Sequence, residues 1–258
     1  MLSFVAACEL RVNGSEQEPL SDLRIDVERY DQLECRYLTT GDFSALQKMN
    51  TDFPDETRLL VENILQLGSV DEHDINERFL KFFQDSTLLA LMADVESQYA
   101  NMDDINRLLT KAFTRLRDDM PDLPMPMVYA QVGALCQSIV ISGNTIGISL
   151  DKYLGKDYSI YQRYYEAHQR ETMTRKHIVP ECIIFYLLSF YQLPDNTPME
   201  LRDLHMGRIM WVANKAMGNK FFNTPSVDAA AQYVKSHPNI SIKQLLQTES
   251  ILSSKSIS

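Results

Sequence analysis

The sequence predicts an α+β fold, mainly α-helical, in which a single domain packs a small antiparallel β-sheet or hairpin, at about residues 127–150, against helices. Three observations lead there. Apolar residues recur at helical spacing on both sides of that stretch, the stretch itself holds three short strand-like runs preceded by prolines and with a Gly-Asn turn between the last two, and no repeat or linker divides the chain after residue 22. A length of 258 residues suffices for one substantial core. With 45% hydrophobic and 23% charged residues, the composition excludes collagen-like, low-complexity and wholly disordered classes. Thirty-five acidic against 25 basic side chains leave a net charge of −10, which excludes nucleic acid as a main partner because phosphate binding needs concentrated positive charge.

The elements follow in chain order. Residues 9–22 are polar, with Gly14 and Pro19, and read as a flexible tether. Leu23, Ile25 and Val27 alternate as in a short strand. A helix is expected at about 57–67, ended by Gly68, and two more over 74–99. The clearest helix is 102–119, where Met102, Ile105, Leu108, Leu109, Ala112, Phe113 and Leu116 form one apolar stripe. Pro121, Pro124 and Pro126 then forbid helix, and three strands are expected at 128–132, 138–141 and 146–150, the last two joined by a Gly143-Asn144 turn. Helices resume over 160–173 and 177–191. Thr197-Pro198-Met199-Glu200 reads as a capping box opening a helix that runs to Met217 and stops at Gly218. Helices at 226–236 and 241–252 complete the chain before a serine-rich tail.

Val5-Ala6-Ala7-Cys8 matches a bacterial lipobox, in which the cysteine becomes lipidated; a basic n-region and a full apolar run do not precede it. Residues 1–7 would then be the remnant of a longer signal peptide, 8–22 the tether and 23–258 the globular domain. The other reading is an apolar N-terminal strand with an ordinary core cysteine. No C-x-x-C occurs, so Cys35, Cys136 and Cys182 read as isolated core thiols. No run reaches the roughly 20 apolar residues that span a bilayer.

No H-E-x-x-H, G-x-S-x-G, P-loop or G-x-G-x-x-G occurs. Folding would have to gather His168, His177 and His205 to make a metal site. Tyr153, Tyr158, Tyr161, Tyr164 and Tyr165 either line a ligand or partner groove on one helix face or cover the β insert with their hydroxyls reaching solvent.

The segment Thr145–Leu188 resembles the gliding-motility lipoprotein GldB-related family of Bacteroidetes. The shared pattern is a strand ending in Gly147-Ile148-Ser149-Leu150-Asp151-Lys152-Tyr153-Leu154-Gly155, a tyrosine-rich helix, an arginine, and an Ile178-Val179-Pro180-Glu181 step into another helix. Arg29-Tyr30-Asp31 resembles the family's early R-[FY]-D, and Met206-Gly207-Arg208-Ile209 its G-K-[IL] helix; the pattern fades beyond about Lys220. The resemblance implies a lipoprotein anchored at Cys8. It also implies a layout similar to predicted zinc-dependent peptidases, in which an H-E-x-x-H helix follows the hairpin. Here that slot reads Pro180-Glu181-Cys182-Ile183-Ile184, which keeps the glutamate and neither histidine. The expectation is therefore a non-enzymatic envelope lipoprotein without a cofactor. It would be held to a membrane by lipid, with its body in the periplasm or at the cell surface, contacting other envelope proteins in motility or secretion. A divergent metallohydrolase using Glu181 and the three histidines is the alternative.

Overall fold

The computed structural model describes residues 24–247. The chain enters as an extended segment whose two buried side chains, Ile25 and Val27, alternate as expected, but it joins the sheet by one bridge only, Glu28 to Tyr129. Its amides are taken by a helix instead: Ile25 N–H donates to Thr110 Oγ1 at 2.9 Å and Val27 N–H to Asn106 Oδ1 at 3.1 Å.

Helices α1 (Tyr30–Thr40), α2 (Phe43–Asp52) and α3 (Pro54–Arg58) follow, the last running into a π-helical turn over Leu59–Ile64. Asp42 caps α2, and Asp85 the later helix Ser86–Gln98, through their side chains, and Pro54 opens α3 where its missing N–H costs nothing. Next come α4 (Ile75–Phe82), α5 (Ser86–Gln98) and α6 (Asp103–Asp119), the last burying the apolar stripe read from the sequence except for Leu108, which is exposed. Three strands, β1 (Met127–Gln131), β2 (Ile139–Ser142) and β3 (Thr145–Ser149), lead through a 3-10 turn, Leu150–Lys152, to the short helices α7 (Tyr161–Tyr164) and α8 (Ala167–Arg170). A second 3-10 turn, Arg175–His177, opens α9 (Ile178–Phe190); α10 (Met199–Met217) and α11 (Pro225–Ser236) follow, and residues 242–247 are helical.

One contiguous core joins these elements. Helix α9 is apolar on almost every side because it is enclosed on almost every side, by β2, β3, α6 and α10. Tyr186 sits edge-on to Phe113 at 5.6 Å and donates its hydroxyl to the Pro124 carbonyl at 2.8 Å.

Four expectations are corrected. The sheet is mixed, with order β1-β3-β2. The Gly143-Asn144 turn makes β2 and β3 antiparallel, but the loop after β1 carries the chain far enough that β3 returns between the two, parallel to β1. The expected helix at 160–173 is two short pieces, because Tyr165 is extended and Glu166 caps α8 reciprocally with Gln169. The capping box at Thr197 does not form: Pro198 occupies the N-cap position, and Arg202 holds the Thr197 carbonyl. Cys35 and Cys182 are buried, but Cys136 is exposed. Cys8 and the segments 1–7 and 9–22 lie outside the described residues.

Gly218 ends α10 in a left-handed conformation at φ +73°. Gly207 serves packing: a Cβ there would run into the Ser226 carbonyl at the start of α11. Helix propensity alone favours Gly207→Ala by about 1 kcal/mol, whereas forcing two backbones apart costs about 1–3 kcal/mol. Gly207→Ala is therefore expected to lower the melting temperature by about 3 °C or more. A calorimetric scan showing a raised midpoint would contradict this packing.

Candidate functional site

The loop that follows β1 keeps its backbone inside the protein, and buried amides need acceptors. Two carboxylates supply them. Glu34, on the inward face of α1, accepts the Val132 amide at 2.8 Å. Asp151, in the 3-10 turn after β3, accepts the Gly133 amide at 2.8 Å and the Leu135 amide at 2.5 Å. Both side chains are fully buried. Ala134 and Leu135 hold left-handed backbone angles, φ +47° and +65°, a conformation that costs roughly 1–2 kcal/mol per non-glycine residue. The carboxylate bonds and the Tyr165 hydroxyl, which donates to the Leu135 carbonyl at 2.9 Å, hold the loop in that shape. Lys152 braces it further, with Nζ 3.0 Å from the Tyr165 hydroxyl and 4.4 Å from that ring's centre.

Burial raises the Glu34 carboxyl well above its ordinary range, against the Val132 amide and with the neighbouring Asp151 and Asp31 charges adding to the rise. Burial also raises Asp151, despite its two amide bonds. A third buried carboxylate, Asp31, lies one helical turn from Glu34 and forms a bidentate pair with Arg29 at 2.7 and 2.9 Å; burial raises it too.

Glu181 lies in the first turn of α9, half-buried, and accepts the Tyr153 hydroxyl at 2.6 Å. Burial raises its carboxyl against the hydrogen bonds from Tyr153 and Ser138. The arginine ahead of this helix, Arg175, grips Asp104 through two nitrogens at 2.6 and 3.0 Å and covers the Tyr99 ring at 4.8 Å, which fixes the start of α9 against α6.

The tyrosines are spread through the fold rather than aligned on one helix face. Tyr153 and Tyr161 are buried, and the Tyr161 hydroxyl donates to the Asp151 carbonyl while accepting the Leu154 amide at 2.9 Å. Tyr158 donates to Asp94 at 2.6 Å, Tyr165 serves the loop, and Tyr164 is exposed. The histidines have separate neighbours. His168 is exposed, His177 meets Thr174 Oγ1 at 2.7 Å and Phe221 edge-on, and His205 is buried with Nε2 2.7 Å from the Tyr191 carbonyl. Among the described residues, no group of three or more His, Cys, Asp or Glu side chains is placed to hold a metal ion, and no helix is long and apolar enough to cross a membrane.

The residue that sequence reasoning did not single out is Glu34; Asp31, Asp151 and Lys152 stand in the stretches that carry the family resemblance, where no role was assigned to them.

Fold and site together define a mainly helical α+β domain whose sheet edge is tied to its first helix by buried carboxylates. The family model described as gliding motility protein GldB matches residues 13–221, which include all of these groups. The chain therefore belongs to the GldB family of gliding-motility lipoproteins. The match stops at residue 221, just past the point where the sequence departs from the family pattern, so α11 lies beyond it. No curated protein and no solved structure matches the chain.

Because burial raises the Glu34 carboxyl, the folded chain keeps a proton that the unfolded chain releases above the ordinary glutamate range of about 4.3. The resulting stability is complete below that pH and is lost as pH rises through the folded-state value. Glu34→Gln keeps an acceptor for Val132 and removes the titration. Its unfolding free energy is expected to fall less than the parent's between about pH 5 and pH 8. Parallel pH profiles from denaturant melts would contradict the assignment.

Proposed function

We propose that this chain is a lipid-anchored envelope protein that acts by protein–protein contact in gliding motility or a related envelope or secretion assembly. The observation that carries the reading is the family match, which begins just downstream of Val5-Ala6-Ala7-Cys8. Cys8 takes the lipid, residues 9–22 tether the body, and the body stands in the periplasm or at the cell surface. A lipid anchor works by chain burial at about 0.8 kcal/mol per CH₂, so two or more acyl chains give stable attachment. An acidic chain, of net charge −10, is repelled by anionic lipid, which suits a tethered domain better than an adsorbed one.

The carboxylates of the site support a contact role. Glu34 spends one oxygen and Asp151 both oxygens on the protein's own backbone, and Asp31 spends its oxygens on Arg29. Such groups hold a surface in shape.

In cells making the protein from its native locus, metabolic labelling with a clickable palmitate analogue should mark the parent and leave Cys8→Ser unmarked. The parent should partition into detergent and the variant into the aqueous phase. A parent that is unlabelled and aqueous would overturn the anchor.

A further inference from the structure

Helices α6 and α9 and the chain that leaves α10 line a cavity of about 280 Å³ that is open to the surface on one side. Its apolar wall comes from Leu108 and Ala112 of α6, Val179 and Pro180 of α9, and Met217 and Phe221. Leu108 belongs to the apolar stripe of α6, yet it is 49% exposed, because nothing in the described fold covers the wall on this side. The remaining lining is Lys111, Lys176 and the Asn219 amide, with no acidic side chain. In a chain with 35 acids and 25 bases, that is a local reversal of charge. Lys111 and Lys176 take part in none of the ion pairs found among the described residues. Val179 and Pro180 also place the cavity beside the first turn of the 13-residue α9, the positive end of its dipole.

We infer that this cavity binds a free single-chain carboxylate, a medium-chain fatty acid in chemical class, with the chain against Leu108, Val179, Met217 and Phe221 and the carboxylate between Lys111 and Lys176. Charge complementarity selects the anion. Size selects the single chain: the cavity is near the lower limit of small-molecule sites, about 300 Å³, and is smaller than one turn of a partner helix about 10–12 Å across. Mostly apolar walls with a few polar groups that fix orientation are the usual make-up of such sites. This inference is independent of the envelope role, since it rests on the cavity alone.

The test is calorimetric titration of the full chain with decanoate below its micelle concentration, alongside decyltrimethylammonium, acetate and vesicles of anionic phospholipid. Saturable 1:1 binding of decanoate is expected, with the cationic amphiphile bound at least about tenfold more weakly for want of a charge-assisted hydrogen bond worth about that factor, and acetate bound at least about tenfold more weakly because it lacks the chain whose burial contributes the apolar part. The double variant Lys111→Glu/Lys176→Glu changes two exposed side chains and should keep the parent's melting temperature. Its decanoate affinity should drop about tenfold or more. Equal binding of both amphiphiles, unchanged affinity in the double variant, or no saturation by decanoate would overturn the inference. So would lysine-dependent binding to the vesicles alone, or a lysine-dependent dimer by sedimentation in place of decanoate binding.

Discussion

Backbone amides that leave a sheet without reaching water must find acceptors, and the segment after β1 finds them in Glu34 and Asp151. Three elements far apart in sequence meet at this point: the first helix, the end of the parallel strand and the turn after the central strand. Much of the surrounding architecture follows. The loop passes through two left-handed residues, and this path lets β3 return between β1 and β2. Asp151 also offers its carbonyl to Tyr161, which in turn holds the Leu154 amide, so the clamp orders the chain that leads into α7. Lys152 and Tyr153, its neighbours in sequence, reach the same loop and Glu181 respectively. Within Leu150–Gly155, Asp151 and Lys152 thus fasten this loop, and Tyr153 ties the same stretch to the start of α9 through Glu181.

Burying carboxylates is expensive, and hydrogen bonding recovers only part of the cost. A core of apolar residues could not replace them here, because the amides of Val132, Gly133 and Leu135 would then be orphaned at about 1–3 kcal/mol each. The Arg29–Asp31 pair works on the same scale one turn away and gives the family's early R-[FY]-D a structural role. The surface held in this way carries the exposed Cys136 and Gln137.

The parts of the fold that were legible in the sequence are those whose burial follows a simple period. Helix α6 buries one regular face and α9 nearly all of its surface, so apolar spacing located them within a residue or two, and the Gly143-Asn144 turn between two short apolar runs located the β2–β3 hairpin. Helices α1 and α2 were not legible. The inward face of α1 carries Asp31 and Glu34 among Tyr30, Cys35, Tyr37 and Leu38, and two acids inside the stripe erase the apolar period. The break between α7 and α8 was hidden for a related reason: Tyr165 leaves the helix to serve the Leu135 carbonyl, a partner 30 residues away. For the site, the motifs marked the right stretches, Arg29–Asp31, Leu150–Gly155 and Glu181, without their roles. The need for an acceptor at Val132 exists only once the loop's path is known, so Glu34 carried no local signal.

The central claim is that buried carboxylates, and not the sheet alone, hold the 132–135 loop. Native-state amide hydrogen exchange tests it residue by residue. The account predicts that Val132, Gly133 and Leu135 exchange as slowly as the β3 ladder amides. It further predicts that Asp151→Asn, whose amide has one acceptor oxygen for two donors, speeds Gly133 or Leu135 and leaves Val132 slow. Loop amides that exchange freely in the parent protein, or an Asp151→Asn variant with an unchanged pattern, would contradict it.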